Sequence, residues 1–371
     1  MFLLNELVFL SPLGIYACVR VRALLAGKRA KTVFTAFFLV LLAAFPAGER
    51  LTHGSEAGWT KPVILAGYYS LPLLLYFVLV VIPADLVIGL LRVAGVLSRE
   101  AVRRPAVRKI RLAAYLALPV LIVFLGVLNF RHLRVKPYAV EIPRKSSAVG
   151  RLKIVFAADL HVGELTRAGF LEDFISRTNS QNADLVLLGG DVFEGDRRDE
   201  HRDKFVSQFL RVRSTYGTFA VPGNHERYGG DRSDVFARAG VRMLRDEVVK
   251  IGQACYLAGR NDSRRGGRKS IEDLLAGTPV DLPVIVLDHR PTDLDRVSRR
   301  GIDIQLSGHT YHGQLFPVNF ITRRVYELSW GYNKKLDTHV FVTSGAQLWG
   351  PPVRTAGASE ILAVDVSLRM P

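Results

Sequence analysis

Acidic, imidazole and amide side chains recur in this chain, each directly after a short apolar run. They are Asp159, His161, Asp191, Asn224, His225, His289 and His309. Imidazoles and carboxylates together are the ligands that suit divalent ions of the Mn, Fe or Zn type. A carboxylate can also bridge two ions about 3.5–4 Å apart, a spacing that clamps the attacking and leaving oxygens of a phosphoryl group. The set therefore indicates a metal-assisted hydrolase that acts on phosphoesters.

The spacing of Asp159 and His161 supports the same interpretation. Alternate residues of an extended chain project to the same side, so these two side chains can hold one ion together. A lone Asp-x-His is a weak signal, and so is a lone strand-end histidine such as His289. The weight comes from the ordered set, in which Asp-x-His, Gly-Asp, Gly-Asn-His-Glu, a strand-end His and Gly-His-Thr follow one another along the chain.

The apolar runs that precede these residues predict buried strands, because each is short and bounded by turn residues. The predicted strands lie at 151–160, 183–191, 217–226, 283–289 and 302–309, and two more, at 339–345 and 360–368, close the chain. Helical patterns at 168–178 and 203–213 alternate with them, which predicts a mixed α/β fold. Ligands of such sheets bind beyond the carboxyl ends of the strands. The polar residues are therefore expected to meet at one edge.

Five segments together resemble the calcineurin-like metallophosphoesterases. They are ADLH (158–161), GGDVF (189–193), GNHE (223–226), LDH (287–289) and SGHTYHGQ (307–314), and the resemblance extends over about residues 151–368. It implies a four-layer α/β/β/α sandwich with two metal ions. By position it implies Asp159 and His161 on the first ion, Asp191 bridging both, and Asn224, His289 and His309 on the second. His225 is expected beside the scissile phosphate as an acid or charge stabiliser.

One position departs from the family pattern Gly-His-x-His. Tyr311 stands where the second histidine is usual, and His312 follows one residue later. Three alternatives remain open: Tyr311 binds the first ion as a phenolate, His312 reaches the site through a shifted loop, or the first ion site is weakened. We expect an active enzyme with Tyr311 or His312 near the first ion.

Residues 1–130 have the composition of a membrane module. Apolar runs near 2–20, 32–47, from Val63 through Pro83 toward Leu91, and 112–129 predict about four spans. Asp85 lies in the extension of the third run, either as an intramembrane polar site or as an interfacial carboxylate near Arg92. Residues 131–150 are rich in Pro, Ser and Gly and predict a linker to a metallophosphoesterase domain at 151–371. The predicted fold class is thus an N-terminal helical transmembrane bundle followed by the α/β sandwich.

The formal charge of +16 is concentrated near the spans, between residues 20 and 31 and between 92 and 111. This placement is typical of basic loops that remain cytoplasmic and face lipid headgroups, so the bilayer is the expected partner and nucleic acid is not. With four spans and cytoplasmic basic loops, the protein is a multi-pass membrane protein whose catalytic domain is extracytoplasmic. The sequence predicts no oligomeric state.

Two functions from different classes fit these patterns. The first is a membrane-anchored phosphoesterase that cleaves a phosphoester or diphosphate, with a lipid-linked molecule as one possible substrate. The alternative is a catalytically impaired pseudoenzyme or membrane scaffold that keeps the fold, which only Tyr311 supports. Two further stretches have open roles. The basic loop 261–270 is either solvated or contacts phosphate, and the aromatic residues at 330, 332 and 349 either line a groove or pack the sheet edge.

Overall fold

The structure is a computed structural model that describes residues 2–52, 59–143, 145–163, 165–194, 199–228, 233–262, 267–279 and 281–369. The chain divides into two compact units. The helical unit comprises Met1–Asn129 together with Gly350–Thr355, and the sheet unit comprises Phe130–Trp349 together with Ala356–Pro371.

The helical unit contains the helices that the apolar runs predict. They are α1 (Phe2–Leu24), α2 (Lys28–Thr52), α3 (Thr60–Val93), the short α4 (Arg99–Arg103) and α5 (Pro105–Arg131). Among the described residues, three segments are long and apolar enough to cross a membrane, namely Lys28–Leu51, Thr60–Val93 and Pro105–Arg131. These three correspond to the second, third and fourth predicted spans. Helix α1 covers the first predicted span, and the total of four spans stays a prediction.

Helix α3 continues through Pro83 as one helix of 34 residues. Asp85 lies in this extension, and its carboxylate is buried. It accepts hydrogen bonds from Arg111 Nη2 and Tyr115 OH at 2.9 Å each, and from Arg20. The expected neighbour of this carboxylate was Arg92, but α1 and α5 supply its partners because both helices pack beside this end of α3.

Segment Gly350–Thr355 belongs to the helical unit although it lies late in the chain. The backbone N–H of Arg354 donates to the carbonyl of Gly126 at 3.0 Å, and Asn129 Nδ2 donates to the carbonyl of Arg354 at 3.1 Å. The Tyr76 hydroxyl lies in hydrogen-bonding contact with that of Thr355. This segment is therefore tied by hydrogen bonds to α3 and α5.

The described residues of the sheet unit form twelve strands. They are β1 (Arg134–Pro143), β2 (Arg151–Ala157), β3 (Leu185–Leu188), β4 (Thr218–Ala220), β5 (Val241–Met243), β6 (Glu247–Ile251), β7 (Cys255–Gly259), β8 (Val284–Leu287), β9 (Ile304–Ser307), β10 (Gly331–Lys335), β11 (Thr338–Val342) and β12 (Glu360–Arg369). Two six-stranded sheets result, with the orders β1-β12-β2-β3-β4-β5 and β10-β11-β9-β8-β7-β6. Strands β2 to β5 run parallel to one another, as do β7, β8, β9 and β11.

The helices of this unit flank the two sheets. They are α6 (Phe170–Asn179), α7 (Asp199–Phe209), α8 (Asn224–Tyr228), α9 (Ser233–Arg238), α10 (Ile271–Leu274), α11 (Leu294–Arg299) and α12 (Val318–Val325). Helix α6 confirms the helix predicted at 168–178. Helix α7 lies four residues upstream of the predicted 203–213, because the charged residues at its start hide its amphipathic pattern.

Alternating side chains of each strand explain the layers. Phe156, Leu187, Ile285 and Leu306 point inward with others to form a core between the two sheets. The opposite face of the first sheet packs on aromatic residues of α6, α7 and α9 such as Phe174. The opposite face of the second sheet packs on α10 and α11. The predicted four-layer α/β/β/α sandwich beside a helical N-terminal region is confirmed.

Residues 131–150 differ from the predicted linker. Arg134–Pro143 form β1, which pairs in parallel with β12 from Arg134↔Glu360 to Pro143↔Arg369. The prolines at 137 and 143 that suggested a linker are tolerated because β1 is an edge strand, where a missing N–H costs least. Only two residues, 132 and 133, therefore separate the end of α5 from the first strand of the sheet unit.

Candidate metal centre

The predicted site residues follow the carboxyl ends of five parallel strands from both sheets. Asp159 and His161 follow β2, Asp191 follows β3, and Asn224 begins α8 just after β4. His289 follows β8 and His309 follows β9. Three groups bring their potential ligand atoms within 4.8 Å of one another, namely Asp159–His161–Asp191, Asp191–His289–His309 and His161–Glu194–His225. From the residues that the sequence singled out, these clusters contain Asp159, His161, Asp191, His225, His289 and His309.

The backbone at this edge is unusual. Six non-glycine residues have positive φ, between 41° and 72°: Asp159, His161, Asp191, His309, Tyr311 and His312. Such conformations are costly for residues with a Cβ and persist where the surrounding structure over-determines them, often at functional sites. The same strain turns the carboxylates and imidazoles inward at the strand ends.

The two buried aspartates each direct one oxygen toward the imidazoles: Oδ1 of Asp159 has no hydrogen-bond partner among the described residues, and Oδ2 of Asp191 faces His289. The other oxygens accept backbone N–H groups, from His309 to Asp159 at 3.0 Å and from His225 to Asp191 at 2.8 Å. Burial raises the pKa of Asp159. Burial also opposes the charged form of Asp191, but the positive charge of His289 outweighs it and lowers the pKa of Asp191.

Asp191 is also held by a close backbone approach. A Cβ on Gly223 would lie 2.1 Å from Asp191 Oδ1, so only glycine fits at this position of the loop after β4. The loop can then pass directly over the carboxylate and present Asn224 on the far side.

In the cluster of Asp191, His289 and His309, a backbone contact orients the His289 imidazole as metal binding needs. His289 Nδ1 lies 2.7 Å from the carbonyl of Gly189 and donates to it, which leaves Nε2 for the centre. That Nε2 lies 3.2 Å from Asp191 Oδ2 and 3.1 Å from His309 Nδ1. Burial lowers the pKa of His289, but the Asp191 carboxylate raises it to about 10. Without a cation, His289 therefore carries a proton at neutral pH.

In the cluster of Asp159, His161 and Asp191, a side-chain carboxylate rather than a backbone carbonyl contacts the Nδ1 of the histidine. Glu194 contacts His161 Nδ1, and the His161 Nε2 lies 2.5 Å from the Tyr311 hydroxyl. Burial disfavours the charged imidazole, but the Glu194 carboxylate raises the pKa of His161 to about 9. Burial opposes the charged form of Glu194 as well, yet His161 holds the pKa of Glu194 at about 2.

Tyr311 and His312 point in different directions. The Tyr311 ring lies beside His161, whereas the buried His312 has its Nδ1 3.0 Å from Ser329 Oγ and its ring 5.1 Å from that of Trp330. His312 was expected as a less certain ligand of the first ion, but it belongs to none of the clusters. The reason is the tight 3₁₀ turn at Tyr311–Gly313, in which neighbouring side chains diverge. Burial and the nearby Asp159 charge raise the pKa of Tyr311 well above its usual value.

His225 lies at the rim of the site, where a substrate can reach it. Its Nδ1 is 3.3 Å from Glu194 Oε1, and its ring is 4.7 Å from that of His161. The Trp349 ring lies 5.9 Å away on the other side. Trp349 is thus the one of the three aromatic residues with open roles whose described ring contact is with His225. Trp330 donates to Glu360 at 2.7 Å, and Tyr332 packs against Tyr138 and Phe341.

Sequence reasoning missed three residues of this site. Glu194 joins two histidines, although the only available signal was an acidic residue three positions after Asp191. Glu226 is buried, and its carboxylate accepts the backbone N–H groups of residues 191, 192, 193 and 223 at 2.7 to 3.1 Å. It thereby locks together the loops that follow β3 and β4.

Arg290 is the third missed residue. Its Nε donates to Asp262 at 2.6 Å, its Nη2 donates to Asn224 Oδ1 at 3.1 Å, and its Nη1 lies 3.0 Å from His309 Nε2. The basic loop 261–270 is therefore tied to the site, because Asp262 holds Arg290 and Arg268 pairs with the buried Asp288. A guanidinium that is held in place at the edge of a carboxylate–imidazole cluster suits a phosphate oxygen.

The residues present fit divalent cations. Asp159 Oδ1 has no hydrogen-bond partner among the described residues, and the ligand atoms of Asp159, His161 and Asp191 lie within 4.8 Å of one another. Buried anionic oxygens are costly unless they are paired or coordinate metals. The donor set of carboxylates, imidazoles and an amide oxygen matches ions of the Mn, Fe or Zn type.

Comparison with known proteins agrees with this geometry. A family model of the calcineurin-like phosphoesterases matches residues 152–313. An uncharacterised metallophosphoesterase of Campylobacter jejuni is 30% identical over 346 residues, which cover 90% of this chain and 89% of that protein. An uncharacterised metallophosphoesterase of Helicobacter pylori is 33% identical over 218 residues, or 57% of this chain. The match spans 58% of the Helicobacter protein's length.

The name of a third relative describes a membrane protein. A transmembrane protein with metallophosphoesterase domain from Bos taurus is 30% identical over 245 residues, which cover 60% of this chain and 55% of that protein. Together with the three apolar helices, this similarity indicates association with a membrane.

Proposed function

This chain belongs to the calcineurin-like phosphoesterase family, and we propose that it is a membrane-anchored phosphoesterase that works with two divalent cations. The observation that carries the proposal is a pair of buried carboxylates among imidazoles: Asp159 Oδ1 has no hydrogen-bond partner among the described residues, and Asp191 Oδ2 faces the Nε2 of His289. A structural carboxylate would be paired, so this arrangement supports cation binding.

We assign the ligands by cluster. Asp159, His161 and Asp191 would hold the first ion, with Tyr311 nearest to a fourth position. Asp191 would be shared with the second ion, whose other ligands would be Asn224, His289 and His309. We propose Mn, Fe or Zn as the metal, because this mixture of imidazole and carboxylate suits them better than Ca or Mg.

The two ions, when bound, would lower the pKa of a water molecule and neutralise charge on the phosphoryl group. The residues of the chain supply the rest. Glu194 and the carbonyl of Gly189 hold His161 and His289 in the required tautomers. His225, at the rim beside Glu194, is placed to donate a proton to the leaving oxygen. Arg290 is placed to bind a phosphate oxygen and orient the substrate.

We propose that the substrate is a phosphoester or diphosphate of a lipid-linked molecule. Only residues 132 and 133 separate α5 from β1 of the catalytic unit, so a short connection tethers that unit to an apolar helix. A basic arginine beside the cluster also suits an anionic group. Anchoring raises the local concentration of lipid-borne substrates relative to soluble ones.

We further propose a multi-pass protein whose catalytic unit is extracytoplasmic. The connections that follow α1 and α3 are both basic and both meet the positive-inside pattern. If four helices span, the chain leaves α5 on the opposite side. Protease accessibility of the sheet unit in right-side-out and inverted vesicles tests this assignment.

The activity itself is tested with the full chain in detergent, because β1 lies within the region once taken for a linker and a truncation near residue 146 would remove it. A chromogenic phosphodiester is offered with Mn²⁺ or with chelator, to the unsubstituted chain and to His225→Gln. Turnover that requires the metal and falls strongly in the variant supports the proposal. No turnover from a folded chain that binds Mn²⁺ would favour the pseudoenzyme alternative, for which the contact of Tyr311 with His161 Nε2 is the supporting observation.

A further inference from the structure

Helix α12 exposes apolar side chains and buries a polar one, which is the reverse of the usual pattern for a surface helix of a soluble protein. Its surface carries the large apolar side chains of Phe320, Ile321 and Val325, which are 54%, 64% and 68% exposed, and Phe316, two residues before the helix, is 47% exposed. Phe320, Ile321 and Val325 are spaced one and four residues apart and therefore share one face of the helix, and the Phe316 ring packs on that of Phe320. The residue that α12 buries is the polar Asn319. A helix of this kind needs something apolar to cover its outer face.

The orientation of α12 is fixed by the turn before it, so the apolar face cannot rotate inward. Gly313 has φ +74°, and a Cβ there would lie 2.6 Å from the backbone N of Asn319 and 2.7 Å from Thr322 Oγ1. The helix thus rests with its polar side against the 3₁₀ turn. The N–H of Val318 donates to the carbonyl of Leu315 at 2.8 Å, which holds the first turn. The Phe316 and Phe320 rings pack together outside at 5.6 Å.

We propose that the α12 face, defined as Phe316, Phe320, Ile321 and Val325, docks on the surface of the lipid bilayer. Three observations favour a membrane over a protein partner. The chain carries helices long and apolar enough to span a membrane, and only residues 132 and 133 separate α5 from β1, so the α12 face belongs to a chain that is itself membrane-associated. Arg323 and Arg324 are exposed beside the apolar face. Apolar and aromatic residues flanked by arginine suit the boundary between acyl chains and anionic headgroups.

This docking has a consequence for the metal centre. The 3₁₀ turn with Tyr311 immediately precedes the α12 face, and Tyr326, which follows it, has its ring 6.3 Å from that of His309. Docking of the α12 face therefore holds two segments near His309 at the headgroup layer, namely the 3₁₀ turn with Tyr311 and the residue Tyr326. The docking rests on membrane association alone, whereas its meaning for the substrate, a phosphate borne by a lipid headgroup, rests on the proposed function.

The test uses the full chain in nanodiscs of zwitterionic and anionic phospholipids, without any turnover assay. Phe320→Cys and Ile321→Cys are labelled in turn with a polarity-sensitive fluorophore, and lipids brominated near the headgroup serve as quenchers. The native Cys18 and Cys255 are buried, and the unsubstituted chain measures any labelling at them. Leu210→Cys is the matched control, because Leu210 is 62% exposed in the sheet unit and lies outside the α12 face.

Docking predicts blue-shifted emission at 320 and 321 and quenching by brominated lipid several-fold stronger than at 210. Emission at 320 and 321 that is as water-like as at 210 would overturn the proposal. Blue-shifted emission without quenching would also overturn it, since it would mean that a second copy or another protein covers the face. Because the readout is spectroscopic, an inactive enzyme would still give a clear answer, and the two proposals can fail separately.

Discussion

Asp85 in the helical unit and Asp191 in the sheet unit are both buried carboxylates, but they differ in their partners. Asp85 has both oxygens occupied, one by Arg111 and Tyr115 and the other by Arg20. Asp191 has one oxygen bonded to a backbone N–H, while the other faces the Nε2 of His289 at 3.2 Å, and an imidazole can bind a cation in place of its proton. The pairing of Asp159 is incomplete, because its Oδ1 has no hydrogen-bond partner among the described residues.

The difference separates a structural carboxylate from a functional one. A buried charge that is fully paired can fix the packing of α1, α3 and α5 at one end of the bundle. A buried carboxylate oxygen without a partner costs free energy, about 1–3 kcal/mol or more for a charged group, and persists where a ligand compensates. Burial alone therefore does not identify the site, whereas incomplete pairing among imidazoles does.

Substituting the two aspartates should give the largest contrast. Asp191→Asn is expected to reduce metal-dependent hydrolysis of a chromogenic phosphodiester on the order of 10³-fold, because it removes the oxygen shared by both clusters. Asp85→Asn should leave that activity near its starting value but lower the free energy of unfolding by about 1–3 kcal/mol, since two arginines lose their carboxylate. Activity assays and thermal melts on both full-length variants measure this. Equal losses of activity from both would break the comparison.

Arg290 should give the next largest effect. Arg290→Met is expected to lower kcat/KM by about 10²-fold through weaker phosphate binding. It should also raise the affinity for a divalent cation, because it removes a positive charge 3.1 Å from Asn224 Oδ1. Arg290→Lys, which keeps the charge beside Asp262, controls for loss of folding. Kinetics and calorimetric titration with Mn²⁺ separate the two effects, and a variant whose cation affinity falls would contradict this role.

The sequence predicted the site residues better than their surroundings. Residues at the ends of parallel strands meet at one edge whatever the loops do, so the ordered motifs were enough to bring Asp159, Asp191 and His289 together. The partners of these ligands depend on loops that converge only in three dimensions. Glu226 reaches four N–H groups of two loops, and no local pattern encodes that.

Two differences between the sequence expectations and the structure have the same origin. Strand β1 pairs with β12 more than 220 residues later, so its prolines suggested a linker when only the edge position mattered. The direction of His312 depends on consecutive positive φ values in the 3₁₀ turn, which alternation along an extended chain does not describe. Both cases involve contacts or conformations that only the folded chain creates.

Cation affinity should rise steeply with pH, with an effect smaller than that of the substitutions. In the metal-free protein the pKa of His161 is about 9 and that of His289 about 10, against about 6.5 for an unperturbed histidine. Both protons must leave when cations bind, so affinity should increase about tenfold per pH unit for each proton displaced, between pH 7 and 9. Calorimetry in buffers of different ionisation enthalpy measures the protons released.

The metal-free protein should show the opposite trend in stability. A raised folded-state pKa stabilises the protonated form, so this contribution is complete below about pH 6.5 and is lost as pH rises through 9 to 10. Thermal melts with chelator should therefore fall over that window, while melts with Mn²⁺ should not. Asp85→Asn should leave the window unchanged, because it lies in the helical unit. A window that moves in this variant would contradict the assignment to His161 and His289.

Substituting Tyr311 should give the smallest effect on cation affinity, and the result tests how the two clusters differ. Its pKa is raised well above the usual value, so the phenol keeps its proton at neutral pH and is a weak ligand beside His161. Tyr311→His should strengthen binding of the first cation by about tenfold, because a neutral imidazole is the better donor. Tyr311→Phe should leave that affinity nearly unchanged. If it instead weakens binding, and Mn²⁺ produces a tyrosinate absorbance in the unsubstituted chain, Tyr311 binds as a phenolate and the two clusters are equally complete.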